Sequence, residues 1–134
     1  MSKLTMQVSL AALGLSIASP ALAQGDWSAV DKALGRSGAA QPAGVYKYSF
    51  PRGDLKVSVA GTQIRPALAL GSWVAFKRTS DGKALAMGDL VLTPDELPAV
   101  MSRLQQGGVE QMAVHNHLSG ETPNVVYVHI MGKG

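Results

Sequence analysis

The chain has 134 residues, 12 basic against 9 acidic side chains, three histidines and no cysteine. The formal net charge of +3 comes without a Lys/Arg cluster, which excludes an electrostatic footprint for nucleic acid or anionic lipid. The missing cysteines exclude disulfides, so a small domain must hold by packing alone or with help from a bound ion.

The first segment has the pattern of a secretory signal peptide. Lys3 gives a positive start, Val8 to Ala18 is apolar, and Ala21-Leu22-Ala23 is a small-x-small cleavage site. Cleavage is expected after Ala23, leaving 24–134 as a single domain in the bacterial periplasm or secreted medium. The apolar stretch is short for a bilayer and no second one follows, so no integral membrane span is expected after cleavage.

Asp26 is a helix N-cap candidate, with Trp27, Val30 and Leu34 as an apolar stripe that stops near Gly35. Residues 36–44, rich in Gly, Ala and Pro, read as a loop. Val45 to Phe50 and Leu55 to Val59 alternate with period two about Pro51-Arg52-Gly53-Asp54, which predicts a β-hairpin. The turn also accounts for Arg52-Gly53-Asp54 without cell adhesion. Ala60-Gly61-Thr62 turns the chain again, and Gln63 to Ala69 is expected to be extended, with Pro66 weakening it as a central strand.

Trp73 to Arg78 and Ala84 to Thr93 form the next predicted hairpin, joined through Asp81-Gly82. Asp89 lies inside the second of these strands; it is read first as a strand-end turn residue and second as a carboxylate that orients a histidine. Thr93-Pro94-Asp95-Glu96 matches a capping box, and Leu97, Val100, Met101 and Leu104 form a core-facing stripe. A covering helix over about 93–107 follows, with Pro98 predicting a kink or a later start and Gly107-Gly108 an end. Val109 to Leu118 and Asn124 to Met131 complete the chain as a C-terminal hairpin. The fold class is therefore α+β: a single domain with a largely antiparallel sheet and one covering helix.

That last hairpin carries every histidine, in His115-Asn116-His117-Leu118-Ser119-Gly120-Glu121 and Val126-Tyr127-Val128-His129. Alternation puts His115 and His117 on one side of a strand. If paired residue numbers sum to 242, Ala113 faces His129 and all three imidazoles share a face; a sum of 241 sends His129 to the other face unless a bulge intervenes. Three imidazoles with Glu121, from the connecting loop, make a ligand set for Zn, Cu, Ni, Fe or Mn, and the residue types do not choose among them. The plain alternative is half-buried sheet histidines bonded to carbonyls. His115-Asn116-His117 has the letters of a nuclease motif but not its spacing, and Trp73 and Tyr127 lack the interleaved basic residues of a base-stacking platform.

Several ordered strings give the chain a likeness to a known family. Val45-Tyr46-Lys47, Phe50-Pro51-Arg52, Asp54-Leu55-Lys56-Val57, Pro66-Ala67-Leu68, Leu70-Gly71-Ser72-Trp73, Met87-Gly88-Asp89-Leu90-Val91-Leu92, His115-Asn116-His117-Leu118 with Gly120-Glu121, and Tyr127-Val128-His129 resemble DUF1259, the LppY/LpqO family of exported bacterial proteins. The resemblance implies an exported domain of unestablished activity. It also implies further histidines just past His129, where this chain has Met131 and Lys133, and in many members a second related half, which a homodimer would replace. His115, His117 and Glu121 are similar in spacing to the first metal motif of cupins, although a full barrel and the later motif are not evident.

Three functions follow as expectations. One is a domain binding a divalent transition metal, zinc foremost, on His115, His117, His129 and Glu121. Another is a metal-dependent enzyme, a hydrolase or cupin-like, acting on a small or cell-envelope substrate with Glu121 as general base. The third is a non-catalytic ligand-binding or interaction module.

Overall fold

The structure, a computed structural model, describes residues 25–134. The expected signal peptide over 1–23 and its cleavage after Ala23 lie outside the described residues. In chain order the elements are α1 (Ser28–Leu34), β1 (Ala39–Gln41), a 3-10 turn (Pro42–Gly44), β2 (Val45–Pro51), β3 (Ser58–Val59), β4 (Thr62–Gln63) and α2 (Pro66–Ala69). They continue as β5 (Gly71–Arg78), β6 (Ala84–Leu92), α3 (Leu97–Gln106), β7 (Glu110–His115), β8 (Glu121–Thr122) and β9 (Val126–Lys133). Six strands form one sheet in the order β1-β2-β5-β6-β9-β7, antiparallel throughout, and three short strands form a second in the order β4-β3-β8. The α+β architecture expected from the sequence is the one observed.

Local signals fold as their chemistry dictates. The N-cap of α1 is Trp27 rather than the expected Asp26, whose carboxylate accepts from the Ser28 amide at 2.9 Å just before the helix, and Gly35, at φ 65, closes α1 in the left-handed region. Asp81-Gly82 turns β5 into β6. In the capping box the Thr93 amide donates to the Glu96 carboxylate at 2.8 Å and the Glu96 amide to the Thr93 hydroxyl at 3.4 Å. The regular helix nevertheless starts only at Leu97, because Pro98 has no amide to continue the preceding turn and fits only at the start.

Three expected elements are replaced by others. The hairpin of 45–50 with 55–59 does not form: β2 pairs in full with β5, from Val45 opposite Lys77 to Pro51 opposite Gly71. After Pro51 the chain leaves the large sheet, held by Arg52, whose guanidinium donates to the Val91 carbonyl at 2.8 Å and grips both Glu96 and Asp54. Asp54, then Thr93, share in this clamp, and Arg52 is the first cause that keeps the Glu96 carboxyl below its ordinary value. Leu55 and Val57 turn into the core rather than into a ladder. The expected loop at 36–44 contains the edge strand β1, which pairs with β2. The expected extended piece at 63–69 is instead the helical turn α2, with Pro66 at its first position, where the missing amide costs nothing.

Each face of the large sheet has its own core. On one face α3 lays Leu97, Val100, Met101 and Leu104 over Leu92, Val128 and Ile130. The same face holds an aromatic group in which Trp27 stacks on Tyr46 with centroids 6.2 Å apart and Tyr48 meets Phe76 edge-on. Tyr48 is fully buried and donates to Asp31 at 2.7 Å, so burial first and that carboxylate second push its hydroxyl up. On the other face, Val91 and Tyr127 are covered by Val57, Leu70 and Val125 with Leu55, Ile64 and Leu118 from the segments around the small sheet and α2. Full burial of such a side chain contributes about 2 kcal/mol. This cover reaches only one end of the face, and beyond it stand half-exposed Trp73 and exposed Met87. Among the described residues, no helix is long and apolar enough to cross a membrane.

Candidate metal centre

The histidines occupy the open face next to that cover. His115 is the last residue of β7, His117 follows two residues on in the turn, and His129 is central in β9. The ladder has His115 opposite Tyr127, Val114 opposite Val128 and Ala113 opposite His129, the register that aligns the three rings. A bulge at Met112 then shifts the pairing so that Gln111 faces Ile130. Both registers weighed from the sequence thus occur in one hairpin. The bulge separates them and leaves the histidines on the convergent side.

One ligand nitrogen from each of the three imidazoles lies within 4.8 Å of the others. Ring centroids of His115 and His129 are 4.8 Å apart, and those of His115 and His117 4.7 Å. Nitrogens sharing one zinc at 2.0–2.1 Å are at most about 4.2 Å apart, so small side-chain rotations close the trio onto an ion. His117 is exposed, whereas His115 and His129 are half-buried in the ladder. Tyr127 forms the floor. Its ring stacks on His117 with centroids 3.7 Å apart, and its hydroxyl is tied to the Ala69 carbonyl at 2.7 Å. Burial first, then the charges of Asp89 and Glu121, raise the Tyr127 hydroxyl above its ordinary value of 10.0, so it remains a neutral donor.

Two carboxylates are candidates to join the three imidazoles. Asp89 is not at a strand end; it lies within β6, directly between Trp73 on β5 and His129 on β9. Its Oδ1 is 3.7 Å from Nδ1 of His129, and that oxygen is buried with no hydrogen-bond partner. A buried carboxylate oxygen without a partner is costly, and its position beside a ring nitrogen is where a metal-bound imidazole finds its supporting acceptor. The structure thus corrects the strand-end reading of Asp89 and places its carboxylate beside His129 at more than hydrogen-bond distance. Glu121 is in β8, opposite Val59, rather than in a free loop; it is buried, and its Oε1 accepts from the Val125 amide at 3.4 Å. The close group contains the three histidines without Glu121.

Beside the imidazoles runs a cleft of about 330 Å3, walled by Trp73, Leu68 of α2 and Tyr127, with His117 and Asp89 at one end and Lys47 at the other. Sequence alternation places Lys47 and Trp73 each on a strand face, but their proximity depends on β2 pairing with β5, which no local signal announces.

Comparison with curated proteins and with solved structures finds no match. A family model described as Domain of Unknown Function (DUF1259) matches residues 28–134, which takes in the whole of the sheet, the cleft and the histidine group, and the chain belongs to that family.

Proposed function

We propose that this is an exported domain that binds one divalent transition metal ion through His115, His117 and His129, with zinc the first candidate. The convergence of three imidazoles within 4.8 Å on an accessible face carries the reading, and the unpartnered Asp89 oxygen beside His129 supports it. Three neutral nitrogens in a half-open setting suit zinc or another borderline metal, and three protein ligands leave a coordination position for water or a ligand. The pattern over residues 1–23 supports export.

A metal-dependent enzyme is the second reading, favoured by the cleft that opens beside the imidazoles. A bound ion there would polarise a carbonyl or activate water. Asp89 and Glu121 are the carboxylates available to take a proton. Asp89 is next to an imidazole, while the buried Glu121 accepts from the Val125 backbone amide.

Zinc titration of protein purified without an affinity tag tests the metal reading. The wild type is expected to bind one equivalent. Asp89→Asn is expected to weaken binding about 10- to 100-fold, as loss of an outer-shell carboxylate does, and His117→Ala to weaken it further. Binding equal in all three proteins, or none in the wild type, refutes the proposal.

A further inference from the structure

The cleft differs sharply from end to end. Lys47 on β2 and Trp73 on β5 belong to the open face, and the Lys47 ammonium sits 4.4 Å from the centre of the Trp73 ring. Among the described residues no carboxylate lies within ion-pair distance of Lys47. Lys77, four residues from Trp73 on the same face of β5, lies outside the cleft lining and leaves Lys47 as its one cationic residue. Between Lys47 and His117 the lining is mixed, with Trp73, Pro66 and exposed Leu68 as apolar walls and Ser49, opposite Trp73, as a polar one. Asp89 is the acidic residue lining the cleft, and it is directed toward His129.

We propose that the cleft binds a small organic acid, its carboxylate on Lys47, its carbon chain along Trp73 and Leu68, and a second oxygen donor at the histidine end. This deepens the metal reading and rests on it. Lys47 alone would hold any anion weakly at a half-exposed site, and a bound cation at the histidines both offsets Asp89 and supplies the second attachment. A cleft of about 330 Å3 matches a ligand of this class and is at the small end of ligand pockets. A compact inorganic anion is the poorer ligand, because it cannot reach both Lys47 and the histidine end.

Calorimetric titration of zinc-loaded protein with glutarate, neutral glutaramide and inorganic phosphate tests this, with zinc content measured on the same samples and Trp73 fluorescence as a second readout. Glutarate is expected to bind at least tenfold more tightly than either comparison. Lys47→Gln should lose at least tenfold in glutarate affinity at unchanged zinc content, and Lys47→Arg, which keeps the charge, should retain binding. Equal binding of glutarate and glutaramide, phosphate binding as tightly as glutarate, or an unaffected Lys47→Gln protein overturns the organic-acid inference and leaves the metal reading intact. A wild type that takes up no zinc overturns both.

Discussion

If zinc binds as proposed, the double variant His115→Ala, His129→Ala is expected to lose the stabilisation that zinc gives the wild type. At a free zinc concentration 100 times the dissociation constant, a single site present only in the folded chain contributes about 2.7 kcal/mol. For a domain of this size that is a rise of about 10 °C in Tm. In the double variant the rise is expected to vanish, because one imidazole on the exposed turn is a weak ligand by itself. Without metal the two proteins should melt within about 1 kcal/mol of each other, since neither histidine belongs to the two hydrophobic clusters. Differential scanning calorimetry with and without zinc reads both comparisons. A zinc-dependent rise that persists in the double variant means the metal binds elsewhere.

Gly88→Ala is the most damaging single methyl expected in the fold. A Cβ at Gly88 would lie 2.6 Å from the Trp73 carbonyl oxygen and 3.1 Å from Cγ1 of Ile130. The carbonyl is backbone in the central β5–β6 ladder and cannot swing aside as a side chain can. Overpacking of this kind costs about 3 kcal/mol, a large part of the 5–15 kcal/mol that holds a typical domain. The effect is also functional. Gly88 immediately precedes Asp89, and Trp73 is both the residue crowded and the wall of the cleft, so the displacement reaches the site. Urea denaturation measures the loss; a midpoint unchanged from wild type would show that the ladder yields more easily than this geometry allows.

Much of the site was legible because its logic is local. Alternation aligned His115 with His117, and a single choice of register brought in His129. Asp81-Gly82 and the Thr93 to Glu96 box likewise act within a few residues, and both elements formed where their chemistry called for them. Pairing at a distance was not legible. The Val45 and Leu55 runs have the alternation of a hairpin, yet β2 takes β5 as its partner, and the Arg52 clamp to Val91 and Glu96 redirects the chain at the supposed turn. Glu121 illustrates the same limit. It was visible as a carboxylate near two histidines in sequence, but the β3–β8 pairing draws it into the small sheet. Asp89, 40 residues from His129, comes beside it through a ladder that the sequence does not specify. Pro66 was ambiguous, since the residue that weakens a strand also starts a helix.

The proposed centre is three imidazole rings of this hairpin on one ion. Crystals grown with zinc, with diffraction recorded on both sides of the zinc absorption edge, test it most directly. A single anomalous peak is expected about 2.0–2.1 Å from one nitrogen each of His115, His117 and His129. An ion ligated by other residues, or zinc-grown crystals with no anomalous peak between the three rings, would contradict it.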